Sequence, residues 1–187
     1  MADLKEVLNF IDTTAAARGI DPLTAKTLLL AENMQQTPDG GMKMPETLDP
    51  TAVSRANAHG IMQVIPSTRE ALIRQNYLSP DVNMNTWQGQ VDAGLAAIKE
   101  IQDRRKSSDI RLIAADYNGS PRAGDAFLRG QLDRMPAETQ NYMKRVDLAQ
   151  AALQQGSNAS SVNQGDVRRF ENAGAAAPRP GAVTAVS

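Results

Sequence analysis

The sequence predicts an all-α fold, on three observations. Apolar residues return at helical spacing through most of positions 1–155. Asp-Pro, Ser-Pro and lone Pro residues stand where those runs begin. No alternating apolar and polar pattern of useful strand length is found, and there is no internal repeat.

Leu4, Val7, Leu8, Ile11 and Ala15 mark a first helix that Gly19 stops. Asp21 caps and Pro22 opens a second helix, which carries Leu23, Leu28, Leu29 and Leu30 and ends near Met34. From Thr37 to Asp49 the chain is polar and bears Pro and Gly, so a long loop is expected directly after Glu32, read as a lid. Pro66 opens a third helix through Ala71, Leu72 and Ile73, and Leu95, Ile98 and Ile101 mark a fourth between Thr86 and Arg105. Asp109 caps a fifth, expected to end before Asn118-Gly119, and Ser120-Pro121 starts a sixth that Gly130 stops. Pro136 begins the last helix, where Tyr142, Val146, Ala149 and Leu153 share a face. Residues 1–155 are thus expected to form one helical domain. Residues 156–187 are rich in Gly, Ala, Ser, Asn and Pro with Phe170 as their sole aromatic. They read as a low-complexity C-terminal arm, disordered alone or ordered by a partner, with Arg168 and Arg169 as solvated charge.

Composition removes several function classes. Twenty Lys and Arg face 21 Asp and Glu, and aromatics make up 4%, so neither nucleic acid nor an anionic membrane surface has an electrostatic or stacking case. Without cysteine there is no disulfide, thiolate nucleophile or thiolate metal site, and the single His59 rules out a multi-histidine centre. Neither metal nor cofactor is expected. No apolar run approaches the length of a membrane span, and the amphipathic, acidic start from Met1 to Leu8 does not read as a secretory signal.

The residue that stands out is Glu32, at the end of the apolar run Leu28-Leu29-Leu30-Ala31. Burial and the negative end of the helix dipole both disfavour a charged carboxylate there and raise its pKa. A carboxyl kept protonated near neutrality suits general acid catalysis on a glycosidic oxygen. Position alone fits an ordinary glutamate at a helix end better than a catalytic one, because helix-end acids are common and few are catalytic.

Four blocks in one order set Glu32 in context: Glu32-Asn33; Ala52-Val53-Ser54 with Asn57-Ala58-His59-Gly60-Ile61-Met62-Gln63 and Pro66-Ser67-Thr68; Asp116-Tyr117-Asn118-Gly119; and Glu138-Thr139-Gln140-Asn141-Tyr142-Met143. In these blocks the chain, from about Gly19 to Leu148, resembles the catalytic domain of soluble lytic transglycosylases. Their fold is related to goose-type lysozyme. The resemblance implies a lysozyme-like helical domain and Glu32 as the single catalytic acid. It implies that Glu32 protonates the bond between N-acetylmuramic acid and N-acetylglucosamine of peptidoglycan strands. The same group then takes the proton of the sugar's own 6-hydroxyl, which closes a 1,6-anhydro ring. Substrate-binding roles fall on Ser54, Gly60, Met62, Gln63, Asn118 and Tyr142, and supporting roles on Asn33, Tyr117 and Glu138.

Each role has a physical expectation. Gly60 lets backbone approach a sugar closely. Met62 offers a flexible apolar wall or is plain core. Gln63 offers an amide to an N-acetyl group or holds the loop. Asn118 contacts substrate or ties the cleft together, and Tyr117 packs in the core. Tyr142 reaches Glu32 across the bundle or is a core tyrosine. Glu138 orders the cleft wall, and His59 is a loop residue. Two positions depart from the family pattern. Asn33 stands where serine is usual and is expected to hydrogen-bond the carboxylate. Asp116 stands where alanine is usual and adds a charge beside the cleft.

Peptidoglycan lies outside the cytoplasmic membrane, and no signal is visible here. Delivery inside a bacteriophage virion is therefore expected, the arm attaching to tail or core proteins during genome delivery; a periplasmic mature form is the alternative. Two other functions stay open: an inactive structural virion protein with this fold, and a lysozyme-type hydrolase using the same acid.

Overall fold

The computed structural model describes residues 1–54 and 56–155. The expected arm at 156–187, and with it the virion attachment, lies outside the described residues.

Among the described residues six helices surround one core: α1 (Leu4–Ala17), α2 (Pro22–Asn33), α3 (Pro66–Arg74), α4 (Trp87–Arg105), α5 (Ile110–Leu128) and α6 (Ala137–Gln154), with a 3₁₀ turn at Leu132–Arg134. Helix α2 is the centre. Leu28, Leu29, Leu30 and Ala31 have no exposed surface, and the helix packs against α6, α1 and α4. A helix apolar on nearly every side has only the interior to occupy. Its start is built as expected: Asp21 accepts from the Leu23 N–H, with Pro22 in the first turn.

Short strands appear where only loop is expected. β1 (Ala2–Asp3) pairs antiparallel with β4 (Thr47–Leu48), and β2 (Gln35–Gln36) pairs with β3 (Met42–Lys43). Each strand has two residues, too few for an alternating pattern to register in sequence. The segment after Glu32 is therefore a hairpin whose far end is pinned to the chain start, with Met44 and Leu48 buried.

Helix α5 also differs from expectation. It continues through Asn118 and Gly119 and breaks at Ser120, at φ 72° and ψ 170°. That region of backbone space is nearly exclusive to glycine and costs of the order of 1–3 kcal/mol for other residues. Pro121 then begins the second half, as Ser120-Pro121 suggests.

The loop around Gly60, which precedes α3 and is called the cleft loop below, is held by α4. Gly60 lies at φ +70°, and a Cβ there would run into the Gln90 amide. Gln90 in turn accepts from Ile61 N–H at 3.0 Å and donates to the Pro50 and Met84 carbonyls at 2.8 and 2.9 Å. Beside it, a Cβ on Gly94 would collide with three carbons of Met62, itself fully buried. Gly94→Ala is expected to destabilise the fold by about 2 kcal/mol through overpacking, read as a melting temperature lower by roughly 5 °C. An unchanged melting temperature would mean that the Met62–Gly94 contact is looser than described.

Candidate active site

Glu32 belongs to the last turn of α2, which has no basic residue in that turn and ends at Met34 in extended backbone. It lines a cavity of about 580 Å³. Glu32 keeps some exposure through that cavity, but protein surrounds the carboxyl closely enough to raise its pKa from 4.5 to about 7. Removal from water is the main cause. The Tyr142 phenol and then the Arg145 guanidinium act against it, while Glu138 adds to the rise.

Tyr142 is fully buried. Its hydroxyl is directed at the Glu32 carboxyl and favours the charged form, yet no described group completes a hydrogen bond to Oη. Burial, and then the charge of Glu32, hold the phenol well above its usual pKa, so it stays a neutral donor. Such a donor strengthens its bond only when the carboxylate forms. Arg145 was not apparent from the sequence. Its Nε donates to the Ala31 carbonyl at 2.8 Å, and its Cζ lies 5.3 Å from the Tyr142 ring centroid. The available signal was its spacing from Tyr142, which puts both side chains on one helix face.

The other expected residues divide. Ser54, Gln63, Tyr117, Asn118 and Glu138 line the same cavity as Glu32. Ser54 Oγ accepts from Ala58 N–H at 3.1 Å. Gln63 donates through Nε2 to the Gly60 carbonyl at 2.7 Å, so its amide nitrogen holds the loop. Tyr117 donates to the Met62 carbonyl at 2.7 Å, tying the loop to α5 besides packing against the core. Asn118 Oδ1 is buried and accepts no hydrogen bond from the described residues. Glu138 is exposed on the first turn of α6.

Gly60 and Asn33 are placed differently from expectation, and Met62 takes the core alternative of its two readings. The space beside Gly60 is filled by Gln90 and not left for a sugar. Met62 packs its side chain on Gly94 in the core and presents only its carbonyl, to Tyr117. Asn33 Nδ2 donates to the Leu29 and Ile61 carbonyls, each at 2.7 Å. It anchors the acid's helix to the loop, in place of the expected bond to the carboxylate. His59 is an exposed loop residue with Nε2 3.0 Å from Asn57 Oδ1.

Asp116 also lines the cavity, but its charge is not free there. Its side chain is fully buried between Arg104 and Arg105, with N···O distances of 2.7–2.9 Å. Glu100, on the same wall, is taken by Arg104 at 2.8 Å.

Fold and cavity define a helical domain with an acid of raised pKa, Glu32, at the cavity wall. Comparison with known proteins gives the family. The transglycosylase SLT domain matches residues 47–155, more than half of the 187-residue chain, and the chain belongs to that family. Two solved structures are similar. One is the 70 kDa soluble lytic transglycosylase from Escherichia coli, at 15% identity over 82% of this chain and 25% of that one, with a TM-score of 0.59. The other is an inactive mutant of the lytic transglycosylase Slt from Pseudomonas aeruginosa, at 18% identity over 87% and 26%, with a TM-score of 0.56. The fold is thus the lysozyme-like one of these enzymes, and the chain spans about a quarter of the length of each. The family match begins at Thr47, so Glu32 lies upstream of the matched residues.

The raised acid makes a prediction about stability. Below pH 4.5 Glu32 is protonated in both the folded and unfolded chain and contributes nothing. Between 4.5 and about 7 the unfolded chain ionises while the fold holds its proton, so stability falls as pH rises. Above that window the penalty is complete, at most about 3 kcal/mol. Glu32→Gln is expected to gain stability over wild type across this window, with no further gain above it. Urea titrations at pH 4 and pH 8 check this; an equal difference at both would contradict a raised pKa.

Proposed function

We propose that this chain is a peptidoglycan lytic transglycosylase acting on the glycan bond between N-acetylmuramic acid and N-acetylglucosamine, with Glu32 as its one acid and base. The observation that carries the reading is the Glu32 carboxyl, raised to about 7 at the wall of a cavity of about 580 Å³. Membership in the transglycosylase family supports the reaction class.

In this reading Glu32 enters protonated and gives its proton to the leaving glycosidic oxygen. Positive charge then grows at the anomeric carbon, where the substrate's own acetamido oxygen stabilises it. The new carboxylate is met by the Tyr142 phenol and the Arg145 guanidinium, the groups that already lower its pKa. It next takes the proton of the 6-hydroxyl, whose oxygen attacks the anomeric carbon and closes the 1,6-anhydro ring. The carboxyl ends protonated as it began, and no water is consumed.

Most glycosidases pair two carboxylates across the scissile bond. Here Asp116 and Glu100 are neutralised by Arg104 and Arg105, and Glu138 stands exposed. Intramolecular attack fits that arrangement, because a tethered hydroxyl needs less activation than water. Gln63 Oε1 and Asn118 Oδ1 are the acceptors suited to acetamido N–H and hydroxyl groups.

Mass spectrometry of the soluble products from purified peptidoglycan tests the proposal. Wild type is expected to release anhydro-muropeptides, and Glu32→Gln to do so roughly a thousandfold more slowly. Products with free reducing ends would make the chain a hydrolase with the same acid. A folded wild type that releases nothing would leave a structural role as the better account.

A further inference from the structure

We infer that Arg105 is a positioning residue for the substrate cleft: by bridging the break in α5 it holds Asn118, with its buried and unpartnered side-chain oxygen, in the cavity wall. The nature of the ligand rests on the glycan reading above; the bridge itself rests on geometry alone.

The backbone break is at Ser120. On its N-terminal side stands Asp116, and on its C-terminal side Pro121 and Asp125. Arg105, the last residue of α4, bonds to all three. Its Nε and Nη2 meet the two Asp116 oxygens at 2.7 and 2.8 Å, Nη2 also donates to the Pro121 carbonyl at 2.7 Å, and Nη1 donates to Asp125 Oδ1 at 2.7 Å. Arg104 adds a bond to Asp116 at 2.9 Å. The packing leaves no slack, since a Cβ on Gly124 would overlap Asp116 Oδ1. A strained conformation persists only when its surroundings over-determine it. One planar guanidinium bonded to both halves of the helix does so.

What the break presents is specific. Asn118 and Ser120 both line the cavity, and Asn118 Oδ1 is buried without a donor. An orphaned buried acceptor is costly unless a ligand supplies the missing N–H or O–H. An acetamido N–H or a sugar hydroxyl has that chemistry. Asp116, the departure from the family pattern that looks like stray charge in the sequence, is then one arm of the bridge.

The test uses the full chain carrying Glu32→Gln, so that ligand is bound and not cut. Calorimetry measures affinity for the hexamer of N-acetylglucosamine in this parent, with Arg105→Lys, with Asn118→Ala and with both. Lysine keeps the charge but lacks the fork needed to span the break. Each single change is expected to weaken binding about tenfold. The double is expected to be no weaker than Asn118→Ala alone, because Arg105 acts through Asn118. Hydrogen exchange at Asn118 and Gly119 is expected to be faster in Arg105→Lys. Additive losses, or parent-like affinity in Arg105→Lys despite faster exchange, would overturn the proposal and leave the glycan reading standing. Unchanged exchange would overturn the bridge on its own. A parent that binds no hexamer, with a wild type that releases no muropeptide, would overturn the glycan reading and the ligand proposed here together.

Discussion

Two hydrogen bonds to backbone carbonyls, one on each side of Glu32, set the position on which the rest of the site depends. Arg145 reaches from α6 to the Ala31 carbonyl, and Asn33 reaches from α2 to the carbonyl of Ile61 in the cleft loop. The last turn of α2 is thereby fixed to both walls at once. Its apolar body cannot rotate or slide without exposing Leu28 to Ala31, and its end cannot fray while the Ala31 carbonyl and the Asn33 amide hold those bonds. The carboxyl is therefore held where water is scarce, and scarcity of water is what keeps its proton on near neutrality.

The same economy recurs in the groups around it. Tyr142 is neutral and has no completed partner, so its hydroxyl is available to the carboxylate when that forms. Arg145 lies over the Tyr142 ring and stabilises the same charge from further away. Neither is strong enough to return the acid to its ordinary pKa. A closer cation would leave Glu32 ionised at rest and unable to donate.

Much of the scaffold was legible in the sequence because its signals are local. Asp21-Pro22, Pro66, Thr86 and Asp109 mark helix starts through chemistry within a few residues, and the apolar spacing of α1, α2, α4 and α6 identifies their buried faces. Glu32 stood out only in context: its place at the end of an apolar run fits an ordinary helix-end glutamate, and the ordered blocks that follow are what singled it out. What escaped depends on partners distant in the chain. Gly60 and Gly94 are glycine to admit Gln90 and Met62, neighbours that only the tertiary fold supplies. Asn33 spends its amide on backbone 28 residues away, which nothing in the pair Glu32-Asn33 announces. The break in α5 falls at Ser120 and not before the Asn118-Gly119 pair. Arg105 rewards that placement from another helix, and turn propensity has no term for it. Two-residue strands leave no periodicity to read.

The central claim is that Glu32 carries its proton close to neutral pH before any substrate arrives. Its side-chain carboxyl ¹³C shift, assigned by comparison with Glu32→Gln and followed by NMR from pH 3 to pH 9, measures that property with no assumption about ligand. The account predicts a midpoint near 7. A midpoint near 4.5, the ordinary glutamate value, would contradict it, because Glu32 would then be ionised at neutrality and hold no proton to give.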